Sequence, residues 1–196
     1  MASRERSGGS GLEMRSLKRL TLAVAVLLCG AIAFGCYGAY WAYYSSSASV
    51  ANFMKAIPPS EREVPLAVRR AVGLVHPGGI RHIAIRRVFA AVRPMPEREV
   101  VQRARLVVWE VLFPMHYSAE ETLGAYAHTL VCEAGQGLDA AAAFYYRKRP
   151  LDLTDDEALA LVVMDLNPTG YSMRENPKRL AEAVRQFEEG RRPTRR

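Results

Sequence analysis

Cysteine is scarce in this sequence of 196 residues, which has only three cysteines. Cys29 and Cys36 fall inside an apolar segment, and Cys132 stands alone. Because the cysteines are not arranged in paired or clustered spacings, the sequence has no disulfide framework and no cysteine-based metal site. We therefore predict no metal and no cofactor from the cysteines.

Signatures of nucleic-acid binding are also missing, although the chain is basic. Its net charge of +7 and its pI near 9.6 favour anionic partners such as nucleic acid, acidic lipid headgroups or phosphorylated substrates, although a solvated basic surface is the simpler interpretation. The sequence contains no zinc finger, basic zipper or aromatic RNA-reading motif, so we expect no nucleic-acid partner. Strict alternation of apolar and polar residues is absent too, which limits any sheet to a small one. The expected fold class is all-α.

A long uncharged run is the first feature that is present. Residues 1–19 form a basic tail, and residues 20–44 follow without a single charge. At a rise of about 1.5 Å per residue, one helix over this run exceeds the hydrocarbon core of roughly 30 Å. Aromatic residues crowd its far end, as in an interfacial belt: Tyr37, Tyr40, Trp41, Tyr43 and Tyr44.

This segment predicts a single span of the cytoplasmic membrane, with the basic N-terminus in the cytoplasm and the remainder outside. A cleaved signal peptide is an alternative, with Ser45–Ser49 as the cleavage region. A lipoprotein site at Cys36 is a further alternative, but the apolar run continues past that cysteine. The length and the aromatic end favour an uncleaved anchor.

The rest of the chain divides into a linker over 45–63, a helical domain over 64–190 and a short basic tail over 191–196. Helical spacing of apolar residues begins at Val64 and is broken at His76–Gly79, and a second helix is predicted over Ile80–Val92. A third is predicted from Val100 to Pro114, which should end it. Its expected buried face is the following set: Val100, Val101, Ala104, Val107, Val108, Val111 and Leu112.

Three helix starts follow from local chemistry. Ser118 with Glu121, and Thr154 with Glu157, form capping boxes in which the hydroxyl and the carboxylate satisfy backbone N–H groups. Asn176–Pro177 is a cap followed by a first-turn proline, and the helix that it starts should end near Gly190.

Several of these segments together resemble the peptidoglycan glycosyltransferases of glycosyltransferase family 51. Gly137–Lys148 is similar to that family's Gly-Ile-x-Ala-Ala-x-x-Tyr-Phe-x-Lys signature. Leu153–Ala158, Tyr171–Ser172 and Asn176–Pro177 come in the family's order, and Tyr117–Glu121 resembles the start of its Tyr-Ser-Lys-x-Glu helix. The resemblance implies a lysozyme-like helical domain, anchored by one span and active in cell-wall synthesis.

The upstream motifs of that family are not matched. Its acidic Glu-Asp-x-x-Phe-x-x-His motif should follow the Val64–Pro65 helix, where Leu74–Pro77 stands instead. Gly78–Gly79 is the remnant of its Gly-Gly-Ser-Thr motif, and Gln102–Leu106 occupies its Arg-Lys-x-x-Glu motif, with leucine at the carboxylate. His128 replaces the family's asparagine.

These losses bear directly on chemistry. A sugar hydroxyl that displaces a diphosphate-lipid leaving group needs a carboxylate to take its proton, which typically contributes about two to four orders of magnitude in rate. Glu110, one turn after Leu106, is a candidate replacement, although a solvated helix edge is the simpler interpretation. His76 and His82 are weaker candidates, since a histidine at a Pro-Gly-Gly turn is usually structural.

For substrate binding, the resemblance and the charge pattern select Arg103, Arg105 and Lys148. A solvated or membrane-facing loop remains an alternative for Lys148. The sequence predicts a degenerate, non-catalytic member of the family that binds lipid-linked precursor, glycan strands or a partner synthase at the membrane. One alternative is an active polymerase that uses Glu110 or another carboxylate, and only in that case would we expect a divalent metal. The other alternative is a tethered helical adaptor without sugar binding.

Overall fold

The structure is a computed structural model that describes residues 10–92, 99–133 and 135–190, with side chains from Leu20 onwards. The chain divides into two compact units at Ser45 and Ser46. In the described residues, the first unit is the part of one long helix, α1, that ends at Ser45, and the whole helix extends from Ser10 to Ala56. Within it, Leu20–Ala56 is long and apolar enough to cross a membrane, and an 18-residue window of this range has a mean hydropathy of 2.2. The predicted span is therefore confirmed as a candidate membrane helix.

The second unit begins inside α1, and this differs from the linker that the sequence predicts over 45–63. Residues 46–56 are helical, and a short helix α2 follows at Pro59–Arg62. Val50, Met54 and Ile57 recur at intervals of four and three residues and are buried at 0%, 8% and 2% exposure. The serines of this segment, at positions 45, 46, 47 and 49, precede these apolar positions, and the helical face that the apolar residues form packs into the domain.

The domain is helical apart from one hairpin, in the part of the chain that the structure describes. The strands β1 and β2 pair antiparallel at Val131–Cys132 and Gly135–Gln136. A single 3-10 turn lies at Pro150–Asp152. The remaining helices in chain order are α3 Leu66–Val75, α4 Arg81–Ala91, α5 Glu99–His116, α6 Ala119–His128, α7 Leu138–Tyr146, α8 Asp155–Leu166 and α9 Pro177–Glu188. The all-α prediction is confirmed.

The centre of the core is α8, which packs against α3, α9 and α7. Leu161, Val162 and Val163 are consecutive and all fully buried, so α8 contacts neighbours on nearly every side. Ala141 and Ala142 of α7 are also fully buried, and their small side chains allow α7 to lie close against the core. In this arrangement the C-terminal end of α6 lies beside the C-terminal end of α8, and the C-terminal end of α7 lies beside the start of α8.

Local chemistry fixes the helix starts as predicted. Both capping boxes are present, with Ser118 accepting from the Glu121 N–H and Thr154 accepting from the Glu157 N–H. The prediction that Pro114 ends its helix is wrong, because α5 continues through it to His116. Proline lacks a backbone N–H and so removes one intrahelical hydrogen bond, but only two residues of α5 follow Pro114.

The predicted buried face of α5 is also wrong. Trp109 and Phe113 are buried at 1% and 0% exposure, and Arg105 lies on the same side. Val100 and Val107 instead point outward, at 78% and 63% exposure. Since both sides of this helix are apolar, periodicity alone does not choose between them, and the side with the larger aromatic residues is the one that packs inward.

Candidate functional site

Buried carboxylates are candidates for acid–base chemistry, because burial and neighbouring charges change the pKa of a carboxyl group in general. Two carboxylates of the described residues are almost completely buried: Glu61 on α2 and Asp165 on α8, with side-chain exposures of 3% and 1%. The sequence interpretation selects neither of them. Both are held by several partners, described next.

Asp165 lies at the centre of a four-contact network. Arg87 of α4 donates two hydrogen bonds to it, at 2.9 Å to Oδ1 and in an ion pair of 2.8 Å to Oδ2. The Tyr126 hydroxyl donates to Oδ2 at 2.9 Å, and the backbone N–H of Val131 donates to Oδ1 at 3.1 Å. The Arg87 guanidinium also lies over the Tyr126 ring, 5.3 Å from its centroid. Asp165 therefore fastens α4, α6 and β1 to α8, and its acceptor positions are used by the scaffold.

Tyr126 shares this buried environment. Its side chain is 0% exposed, and burial raises the pKa of its phenol well above the ordinary value, with the negative charge of Asp165 adding to the effect. The phenol therefore stays neutral and acts as a hydrogen-bond donor at physiological pH.

Glu61 forms a second buried centre, where α2 meets the ends of α6 and α7. The Nδ1 atom of His128 lies 2.6 Å from its carboxylate, and the backbone N–H of Asp139 donates to it at 3.1 Å. Gly137 precedes α7 with φ of 106°, and a Cβ placed there would lie 2.5 Å from Glu61 Oε1. Glycine is thus required on two counts, by its positive φ and by the close approach of the carboxylate.

Lys148 lies just beyond α7 and is paired with α8. Its Nζ donates to both oxygens of Glu157, at 2.8 and 2.9 Å, and its side chain is 37% exposed. This hydrogen bond and the backbone N–H of Thr154 lower the pKa of Glu157, which is also the carboxylate of the second capping box. Lys148 therefore has a structural partner and still reaches solvent.

The two candidate arginines occupy different sides of α5. Arg103 is exposed and pairs with Glu99 one turn earlier, at 2.5 Å. Arg105 is buried, one turn before Trp109. Glu110, the candidate replacement carboxylate, is exposed beside Trp109 and points away from the core. The interactions described here tie Arg103 to its own helix and Lys148 to α8, and do not join them in a shared site.

The candidate histidines lie at the connection between α3 and α4. His76 packs edge-on against the Tyr126 ring, with centroids 5.9 Å apart, and so borders the Asp165 network. His82 is exposed on the first turn of α4. The connection itself is a tight turn over residues 76–80, closed by a 2.8 Å hydrogen bond from the Gly79 N–H to the His76 carbonyl.

One cavity of about 260 Å³ opens between the end of α1, α2 and the start of α6. Apolar side chains form part of its wall and polar groups the rest: Ala51, Met54, Ile57, Lys55, Arg62, Tyr117 and Glu121. Arg62 also donates to the carbonyls of Lys55 and Ile57, which caps the C-terminal end of α1. In the described residues no cluster of three or more His, Cys, Asp or Glu side chains is arranged to hold a metal ion.

Sequence reasoning missed both buried carboxylates for the same reason. Glu61 falls in the segment predicted as a linker, and its partner His128 lies 67 positions away. Asp165 lies near the end of an apolar run, and its partner Arg87 lies 78 positions away. A usable signal for Asp165 was present, since one charge within a run of buried residues requires a partner.

A comparison with known families places these elements in context. A family model described as "Transglycosylase" matches residues 85–189, which is more than half of the chain and includes α5 to α9. The comparison with curated proteins gives no match.

Proposed function

Because the chain belongs to the transglycosylase family, we propose that it serves peptidoglycan synthesis as a binding protein that does not itself polymerise glycan. A role related to peptidoglycan synthesis follows from the family. The lack of catalysis and the identity of the bound molecule are our proposal, and each is argued below.

The observation that carries the proposal is the short connection between α3 and α4. The family resemblance places an acidic motif here, yet α3 ends at Val75, α4 begins at Arg81, and residues 76–80 form one turn without a carboxylate. The five residues between α3 and α4 leave no room for a further helix that could carry the acidic motif. This short turn supports the proposal that the general base of the family is missing at this place.

The two buried carboxylates do not replace that base. Asp165 accepts from Arg87, Tyr126 and Val131, and Glu61 is held by His128 and the Asp139 N–H. The acceptor oxygens of both carboxylates are therefore occupied by groups of the scaffold. Asp165 and Glu61 hold elements of the fold together, so the fold does not depend on the family's acidic motif.

We propose lipid-linked peptidoglycan precursor as the bound molecule. Its diphosphate requires cations, and Arg103 is exposed while Lys148 is partly exposed. Both are already paired with carboxylates, Glu99 and Glu157, so a phosphate would compete with or extend an existing ion pair. In the proposed topology α1 is the single span, the N-terminus is cytoplasmic and the domain faces the outside, where such precursors are consumed.

The first test is polymerisation of lipid-linked disaccharide by the purified full-length protein in detergent or vesicles. We expect no glycan polymer, with or without a divalent metal, while an active family enzyme in parallel shows that the substrate is competent. Polymer formed by this chain would refute the proposal. Loss of that activity in Glu110→Gln would then identify Glu110 as the base.

The second test is a binding titration of the full-length protein with the precursor and with moenomycin, an inhibitor of the family that the chain resembles. Replacing Lys148 with glutamine should weaken binding about tenfold, the effect of losing about 1.4 kcal/mol from a charge-assisted contact. Lys178→Gln is the matched control, since Lys178 is an exposed lysine on α9. Equal affinity of both variants would exclude Lys148, and failure of both ligands to bind would favour an adaptor that takes no sugar ligand.

A further inference from the structure

The cavity between the end of α1, α2 and the start of α6 has an apolar floor and a charged mouth. Its volume is about 260 Å³, and the residues that line it all belong to the second unit of the chain. Met54 and Ile57 are buried and form the floor. Lys55 and Arg62 are exposed and form the mouth. A ligand that matches these walls has one apolar end and one polar end.

The two cations at the mouth, Lys55 and Arg62, form no ion pair with a carboxylate of the described residues. Arg62 donates from Nε to the Ile57 carbonyl at 2.8 Å and from Nη2 to the Lys55 carbonyl at 2.5 Å. Both acceptors are neutral, so the guanidinium charge is not compensated by them. These hydrogen bonds also hold the guanidinium beside the Lys55 backbone. The mouth therefore offers two positive charges to an anion.

One carboxylate also lines the cavity, and it is already engaged. Glu121 accepts from the backbone N–H of Ser118 at 2.8 Å and from the Ser118 hydroxyl at 3.0 Å, as part of the capping box of α6. Together with Lys55 and Arg62, it leaves a balance of one positive charge among the lining residues. An anion with a single charge matches this balance, whereas a cation would meet two like charges.

The volume of the cavity limits the size of its ligand. About 260 Å³ corresponds to about nine water molecules at about 30 Å³ each. This volume lies below the range of about 300–1,000 Å³ that is typical of sites for drug-sized ligands. A two-chain lipid or a lipid-linked sugar does not fit within it. The ligand is therefore a small molecule of about nine non-hydrogen atoms.

We propose that this cavity binds a small soluble monocarboxylate with a short aliphatic chain. The chain lies against Ala51, Met54 and Ile57, and the carboxylate lies at the mouth beside Lys55 and Arg62. Because the carboxylate stays at the mouth, it keeps part of its hydration and avoids the cost of a fully buried charge. The site uses none of the residues proposed for precursor binding, so it stands or falls separately from the function proposed above.

The test is photolabelling of the full-length protein in phosphatidylcholine vesicles, with a pentanoate that carries a photoreactive diazirine as the probe. Mass spectrometry then locates the adducts along the chain. Lys55→Gln removes one cation of the mouth, and it is preferred to a change at Arg62 because Arg62 also holds the end of α1. Its matched control is Lys178→Gln, at an exposed lysine on α9.

A second variant tests the apolar part of the cavity. Ala51→Leu fills the space against which the chain of the ligand lies. Its matched control is Ala181→Leu, at an exposed alanine on α9. Far-UV circular dichroism confirms that each variant is folded. Hexanoate and hexanamide serve as competitors of similar shape, of which only hexanoate is charged.

We expect adducts in the peptides that contain residues 51–57 and 117–121, with several-fold better competition by hexanoate than by hexanamide. Lys55→Gln should weaken labelling about threefold to fivefold, the effect of losing one exposed ion pair. Ala51→Leu should weaken it by about tenfold or more, and both control variants should be labelled like the native protein.

Two results would overturn the proposal. The first is labelling of these peptides that is absent or that survives Ala51→Leu, because the probe would then not occupy the cavity. The second is equal competition by hexanoate and hexanamide together with unchanged labelling of Lys55→Gln, because the cavity would then not select an anion.

Discussion

Replacing Asp165 with alanine tests whether the buried network holds the domain together. The change removes both Arg87 contacts, the Tyr126 hydrogen bond and the Val131 N–H bond. The Arg87 side chain is 25% exposed and can recover some hydration, whereas the fully buried Tyr126 hydroxyl cannot. Removing one partner of such a buried pair costs about 3–5 kcal/mol. For a domain of this size the loss lowers Tm by about 10 °C.

The free energy of unfolding is measured in urea by Trp109 fluorescence, with Trp41 replaced by phenylalanine so that one reporter remains. Glu188→Ala is the control, since Glu188 is an exposed carboxylate at the end of α9, and we expect a change under about 0.5 kcal/mol. A double-mutant cycle with Arg87→Met should give a coupling of about 1–3 kcal/mol. A loss below about 1 kcal/mol for Asp165→Ala, together with zero coupling, would refute the reasoning.

Two further predictions concern single residues near these centres. Burial raises the pKa of the Tyr126 phenol in the folded state. The stabilisation by the neutral phenol is therefore complete below the pKa of an unfolded tyrosine, about 10, and is lost as pH rises through the folded pKa. Tyr126→Phe should flatten the alkaline part of a profile of unfolding free energy against pH. Gly137→Ala should cost about 1–3 kcal/mol in chemical denaturation, because of its positive φ and the nearby Glu61 carboxylate. If removing Glu61 in a double variant cancelled that whole loss, the backbone explanation would be wrong.

Local signals were sufficient for much of the fold. The capping boxes at Ser118 and Thr154 and the proline at position 177 start helices where the sequence predicts them, because a cap depends on groups within one turn. The face of α5 could not be predicted in this way. Which of two apolar sides becomes buried depends on the neighbouring helix, and Trp109 meets Ser46 from 63 positions away.

For the site, only the missing motifs of the family could be predicted from the sequence. Missing motifs can be read along the chain, whereas the partners of Glu61 and Asp165 come from helices far apart in sequence. Lys148 was selected from the family resemblance, and its pairing with Glu157 depends on how α7 meets α8. Its role in binding stays a prediction, as do those of Arg103 and Arg105.

The packing of Ser46–Ile57 into the domain has a consequence for reach. A flexible linker over the 19 residues of 45–63 would give a root-mean-square span of about 24 Å, so that the domain could sample many heights above the bilayer. The structure replaces this slack with helix, and the first buried side chain of the domain, Ser46, comes two positions after Tyr44. Residues 46–57 therefore do not serve as a flexible tether, because their buried side chains belong to the core of the domain itself.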